Sequence, residues 1–507
     1  MPDSTLNEKS KKRQKKASTG KSYIFICYLV VALFMGIIAY MIYFQGVKSE
    51  ELKESPYNKR TAAVSENTTR GSILAADGSV LAYTALDESG NEVRVYPYNN
   101  LFAQTVGYSD YGTSGLESSA YSTLMTCDES LSEQFSKALN GEKKRGNNVI
   151  TSLDPELTQA AYDALGAHAG AVVVLDPETG EVLVDISKPD FNPNTVGEDW
   201  DMLVSEGSGS PFLNRALQGL YPPGSTFKIV TALAYYRQYG TFDGFRFNCT
   251  GEYRYTENSY AIHCINGTAH GEEDLAHAFA NSCNCAFAMM AAEMLDKTVL
   301  RETAESLGLT MDLDLELPSE SGYLGITQDT DTILAMQTAI GQGDTLVTPL
   351  EMAMAAQAVI NGGKMIQPSF IQRMVSADGN TVSTANHKTL GTVMTPEEAE
   401  MLRALMHGVV QAGTASGLAD LPCNPAGKTG TAQYGSAEAN AAHSWFVGFS
   451  DTGDKNIVIA VIVEGGGDGS GPVVRFPWLH PPQTQLQLSN RNFWLRETCT
   501  HGTDRRS

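Results

Sequence analysis

The rhythm of apolar and polar positions changes character three times along this chain. Tyr23 to Phe44 is an uninterrupted apolar run without a charge, long enough to cross a bilayer as a helix, and residues 23–45 are expected to be a membrane anchor. Asp154-Pro155-Glu156 supplies an N-cap, a proline at the first helical position and an acidic first turn, predicting a helix through Leu165. Ala171–Asp176 and Glu181–Ser187 flank Pro177-Glu178-Thr179-Gly180, which predicts a β-hairpin. Near the other end Lys428–Gln433, Ser444–Ser450 and Asn456–Glu464 are strand-like, the last almost continuously apolar. Between these groups, Thr348-Pro349-Leu350-Glu351 and Thr395-Pro396-Glu397-Glu398 are capping boxes with proline at the first helical position, and Gly362-Gly363 stops the first helix. Strands from both ends of one segment, with helices between, predict an α+β fold around an antiparallel five-stranded sheet.

Charge sorts the chain further. Residues 1–22 hold seven Lys/Arg against Asp3 and Glu8, about +5, so the net −22 of the whole becomes about −27 without them. A basic leader before the apolar run predicts a cytoplasmic N-terminus and a catalytic part outside the membrane. Val47-Lys48-Ser49-Glu50 offers no small-residue cleavage site, so the anchor is expected to stay. The acidic remainder argues against nucleic-acid binding, which needs a basic face. Residues 46–149 are turn-rich with short strand-like runs such as Val93–Tyr98 and show no catalytic constellation, so they are read as a pedestal-like or dimerisation-like domain. Residues 150–475 form the main domain. Phe476 onward is rich in glutamine and proline without helical period, and 476–507 is read as an atypical, unstructured or foreign tail.

Eight cysteines fit an exported protein only in part. Cys249 and Cys264 bracket a short polar segment and either pair or stay free. Cys283 and Cys285 lie on an apolar helix and are expected to act as small buried hydrophobes. No Cys/His spacing reads as a metal site, no cofactor is expected, and His270-Gly271 is read as a structural turn.

The chemistry concentrates after Tyr221-Pro222-Pro223-Gly224, a stiff turn followed at once by an apolar helical run. Ser225 then sits in the first turn and Lys228 three residues on, the same face, within reach of the hydroxyl. The unpaired N–H groups of a helix start favour an oxyanion, and a desolvated lysine is a workable base for serine. Ser-x-x-Lys alone is weak, since Ser18 and Lys21 repeat it in the basic tail. Ser282-Cys283-Asn284 and the single Lys428-Thr429-Gly430 supply the context that makes it specific.

With these three motifs in order, the chain resembles the class B penicillin-binding proteins, monofunctional peptidoglycan D,D-transpeptidases. The likeness extends over most of residues 60–475, including Gly115-Leu116-Glu117, Asn214-Arg215-Ala216 and Asn361-Gly362-Gly363. It implies the penicillin-binding fold, with helices on both faces of the sheet and an all-helical subdomain. Ser225 would be the acylated nucleophile and Lys228 its base. Ser282 would relay protons, Asn284 would hold the substrate backbone, and Lys428 and Thr429 would meet the terminal carboxylate. Gly430 would let substrate lie on the strand edge, and the N–H groups of Ser225 and Thr431 would form the oxyanion hole. The implied partners are D-Ala-D-Ala stem peptides, β-lactams, and a membrane glycan polymerase of the shape-elongation-division-sporulation family. Ala75 and Ala76 stand where that family usually has Asp-Arg. Two other readings stay open: a hydrolytic β-lactamase or D,D-carboxypeptidase, and a non-enzymatic scaffold or β-lactam sensor.

Overall fold

The computed structural model describes residues 25, 28–41, 43, 67–434, 442–452 and 456–467. The basic leader 1–22 and the tail 476–507 lie outside them. Of the expected anchor, 25, 28–41 and 43 are helical, yet no helix among the described residues is long and apolar enough to cross a membrane. This stretch belongs to a first unit, Met1–Glu66, and the rest of the chain from Asn67 forms a second.

The second unit is built on the five-stranded antiparallel sheet that the apolar runs predict. We call its strands β1 (Gly170–Leu175), β2 (Val182–Lys188), β3 (Ala426–Gln433), β4 (Ala442–Phe449) and β5 (Val458–Val463). Their order is β3-β4-β5-β1-β2, so the two groups of strands, far apart in sequence, meet where β5 pairs β1. Every residue of β1, β4 and β5 is buried, as strands covered on both faces must be. The helices Pro155–Leu165 and Pro349–Ile360 pack on this sheet. Asp154 caps the first, its side chain accepting from the Leu157 amide, and Thr348 with Glu351 forms the complete capping box of the second. Thr395 and Glu398 do the same for Pro396–Ala412. β3 is left as an edge strand.

Two features depart from the sequence reading. The subdomain beside the sheet is not all-helical: Phe247–Cys249 pairs Gly271–Glu273, and Glu252–Arg254 pairs Ala261–His263. Strands of three residues are too short to show a period of two. The sheet of the N-terminal part also draws on the main segment. Ile371–Val375 pairs antiparallel with Asn148–Thr151 and carries Thr381–Thr384 on its other side, extending a six-stranded sheet. In that part Glu117, fully buried, accepts from Arg70 at 2.8 Å and Arg94 at 2.6 Å, a charge satisfied from two sides. Ala75 is fully buried in a tight turn, its amide donating to Ser79 O at 2.8 Å, so a small apolar residue suits the place of the usual aspartate.

Candidate active site

The turn before Ser225 is fixed by backbone. Tyr221 exchanges two hydrogen bonds with Val347 (3.0 and 2.9 Å), and the Trp445 indole donates to Pro222 O at 3.0 Å. Gly224 has φ +54°, and a Cβ there would stand 2.6 Å from Thr431 O. Gly341 (φ +73°) approaches it from the other side, its carbonyl accepting the Gly224 amide at 2.8 Å. Only glycine allows this crossing of turn, β3 and the loop after residue 339. Ser225 follows in a single 3₁₀ turn, Gly224–Phe227, which runs into the helix α1, Lys228–Tyr239. It is 6% exposed.

Lys228 is fully buried and joins two of the three motifs. Its Nζ donates to Ser282 O (2.7 Å), Ser282 Oγ (3.2 Å) and Asn284 Oδ1 (2.7 Å), and lies 5.4 Å from the centre of the Phe287 ring. Burial pulls its pKa down to about 8, against a smaller upward pull from nearby thiols and Glu273. Lys428, equally buried, is held well below the usual lysine range by burial first and then by the charge of Lys228. Its Nζ donates to Thr429 O at 3.1 Å, 5.7 Å from the centre of Phe279. Two amines so placed cannot both stay charged at little cost.

Ser282 stands at the junction of two short helices, α2 (Leu275–Ala280) and α3 (Asn284–Met289), with φ +57°. A serine in the left-handed region costs about 1–3 kcal/mol and persists only where its surroundings hold it. Here the Ser282 amide bonds Phe279 O, the Cys283 amide bonds Ala278 O, and the Cys283 thiol caps α3 by accepting from the Ala286 amide. Asn284 reaches across to donate to His263 O at 3.0 Å.

Ser225, Asn284 and Thr431 line one cleft of about 600 Å³, together with Gln433 at the end of the β3 edge. Lys228, Ser282 and Lys428 stand behind its wall. Thr429 shares a 2.6 Å hydrogen bond with Thr414. Gly430 has a packing reason of its own: a Cβ would come within 3.0 Å of Thr226 and Trp445 and 3.1 Å of Pro223 O. The eight predicted site residues therefore converge. Sequence reasoning missed Tyr260, His263, Gln337, Gln342 and Tyr434 in the cleft, and Thr414 behind it. They come from loops and from the ends of helices and strands, with no motif of their own. A larger cavity, about 880 Å³, lies against Arg70 and Glu92 and holds none of the predicted residues.

For Cys249 and Cys264 the structure takes one of the two alternatives that the sequence left open. Cys249 and Cys264 are free, with Sγ atoms 3.7 Å apart, far beyond the roughly 2.05 Å of a disulfide. They meet His270 and Cys283, and the four ligand atoms lie within 4.8 Å of one another, a donor set that fits a metal ion where none was expected. The signal was hidden because the four positions come from the ends of three short strands and one helix start, spread over 35 residues from 249 to 283.

The chain is similar to known proteins in both sequence and fold. The model of the penicillin binding protein transpeptidase domain matches residues 170–475, and that of the penicillin binding protein A dimerisation domain matches 70–149. The chain is 30% identical over 466 residues to the peptidoglycan D,D-transpeptidase PbpA of Mycolicibacterium smegmatis, covering 87% of this chain and 92% of that protein. It is 29% identical over 431 residues to the peptidoglycan D,D-transpeptidase MrdA of Acinetobacter baumannii, covering 74% and 64%. Among solved structures, penicillin-binding protein A of M. tuberculosis as its penicillin G acyl-enzyme superposes with a TM-score of 0.73 at 28% identity, covering 81% and 97%. The D,D-transpeptidase domain of a peptidoglycan glycosyltransferase from Eggerthella lenta gives 0.73 at 29% identity, covering 83% and 99%.

Proposed function

The chain belongs to the penicillin-binding protein transpeptidases, and from that premise we infer that it cross-links peptidoglycan stem peptides through an acyl-enzyme on Ser225 and is inhibited by β-lactams. The observation that carries this is the burial of Lys228 beside Ser282 and Asn284, one helical turn from a serine that opens onto the cleft. Burial favours the neutral amine, and a neutral amine with a lone pair is what a serine nucleophile needs.

A D-Ala-D-Ala peptide would add as a strand along the free edge of β3, its carboxylate drawn toward Thr429 and Lys428. A bound carboxylate would favour the charged form of Lys428, since it supplies an opposite charge beside the amine. Ser225 Oγ attacks the penultimate carbonyl while its proton passes to Lys228. The oxyanion is met by the amides of Ser225 and Thr431. The C–N bond then breaks, and Ser282, 3.2 Å from Lys228 Nζ, hands that proton to the departing D-Ala amine. The amine of a second stem peptide attacks the ester and restores the serine.

In cells, we read residues 23–45 as an uncleaved single-pass anchor with the catalytic part outside the membrane, supported by the basic leader and the uncharged run after it. A separate membrane glycan polymerase of the shape-elongation-division-sporulation family would supply the strands to be cross-linked. Incubating the full chain with a D-Ala-D-Ala pentapeptide and an amine acceptor tests the reaction. Free D-Ala together with a new amide to the acceptor is expected. D-Ala with hydrolysed tetrapeptide alone would make it a carboxypeptidase.

A further inference from the structure

We propose that Tyr434, stacked on His443, forms a subsite for the residue that precedes D-Ala-D-Ala in the donor stem, and that its open ring takes a long side chain ending in an ammonium. The subsite deepens the transpeptidase reading above and rests on it.

The register of β3 and β4 builds the platform. Ala432 pairs with His443 and Gly430 with Trp445, so alternate residues of β3 share one face. A Cβ on Gly430 would touch Thr226 and Trp445, which marks this face as the one turned to Ser225 and its neighbours. Tyr434 directly follows β3 and continues the alternation. Its ring lies back over the imidazole of His443, with centroids 4.0 Å apart and planes 9° from parallel. His443 is itself held: its Nδ1 accepts from the Gly465 amide at 3.3 Å, and the Tyr221 ring meets it edge-on at 5.4 Å. Tyr221 in turn donates to Glu464 at 2.7 Å, and Glu464 pairs with Arg215 at 2.8 Å. The tyrosine therefore has one ring face covered, while 40% of its surface stays open beside the cleft that it lines.

Chemistry chooses the occupant. With the terminal carboxylate at Thr429 and the scissile carbonyl at Thr431, an added peptide runs antiparallel to β3. Each residue toward its N-terminus advances about 3.3 Å, so the one before D-Ala-D-Ala comes beside Gln433, with Tyr434 next to its side chain. Donor and acceptor are copies of one stem peptide, so every donor carries the kind of amine that acceptors use. The two terminal alanines have no side-chain amine, which places it in an earlier residue, protonated at neutral pH. Among the described residues no Asp, Glu, Lys or Arg lines the cleft. An ammonium there is met by a ring face and a carboxamide oxygen, which Tyr434 and Gln433 supply. Burial holds the His443 pKa down, against a weaker upward pull from Glu464, so the imidazole beneath the ring is neutral and does not repel the cation.

The test measures initial D-Ala release by the full chain in detergent, at a fixed excess of a small amine acceptor. Three donors differ only in the residue before D-Ala-D-Ala: lysine, Nε-acetyl-lysine and norleucine. The lysine donor should exceed the other two about fivefold to tenfold in kcat/KM, mainly through KM, as one cation–π contact provides. Tyr434→Phe should keep that preference, and Tyr434→Leu should bring the ratio to about one in protein that still melts cooperatively and takes one penicillin adduct. A ratio near one in the wild type would overturn the subsite. So would a preference that survives in folded Tyr434→Leu. Norleucine serving as well as lysine would overturn the cationic assignment. If no donor releases D-Ala while the penicillin adduct still forms, the transpeptidase reading itself falls, and the subsite with it.

Discussion

The burial of Lys228 has a measurable consequence in pH. Its pKa of about 8 lies below the lysine value of 10.5 because burial disfavours the ammonium. If the neutral amine is the base, the acylation rate follows the deprotonated fraction, roughly a tenth at pH 7 and half at pH 8. Stopped-flow acylation by a fluorescent penicillin should therefore rise about fivefold from pH 7 to 8 and level off about tenfold above its pH 7 value. Stability should change in the same direction. The folded state binds this proton less readily than the unfolded chain, so the cost, about 3 kcal/mol from the shift, is fully present below pH 8 and is relieved as pH rises from about 8 to about 10.5. Denaturant midpoints at a series of pH values read this second effect, and Lys228→Met should flatten it. An acylation rate that is level between about pH 6 and pH 9 would refute the assignment of Lys228 as a base that must first lose its proton.

Three further outcomes follow from the packing. Gly341→Ala would place a Cβ 2.0 Å from Gly224 O at a φ of +73°, so we expect a loss of about 2–4 kcal/mol and a larger fall in acylation than in secondary structure, read by melting and by penicillin labelling. Trp445→Phe removes the donor to Pro222 O; about 1–2 kcal/mol of stability should go, and an unchanged melting temperature would show that this bond does not hold the turn. Asp185 is fully buried with its pKa raised by burial to about 6, against weaker opposing bonds from Thr105 and Asn214, and one of its oxygens has no partner. A carboxyl raised in the fold loses stability as pH rises from about 4 to about 6, so Asp185→Asn at pH 7 should be neutral or stabilising, within about 1 kcal/mol by chemical denaturation.

How much of this was legible depended on the range of the interactions. The five strands, both capping boxes and the Asp154 cap are local patterns, and each lies within two residues of where the sequence puts it. The three motifs that meet around Lys228 were legible because turn, helix start and strand are each written in a few neighbouring residues. Nothing local says that Ile371–Val375 leaves its own segment to pair with Asn148–Thr151, since sheet partners are chosen by packing across the molecule. Nor does spacing show that His270 faces Cys249, 21 positions away, because irregular loops bring them together. Gly430 was assigned to the substrate, whereas the crowding against Thr226 and Trp445 gives a structural need as well. Proton position on Lys228 was legible in kind but not in degree, for it depends on how completely α3 and the Phe287 ring exclude water.

The most direct test of the whole account is intact-mass analysis after penicillin treatment of the full chain, wild type beside Ser225→Ala. One stable adduct on the wild type and none on the folded variant is the predicted result. An adduct that persists in Ser225→Ala, or a folded wild type that stays unmodified, would contradict it.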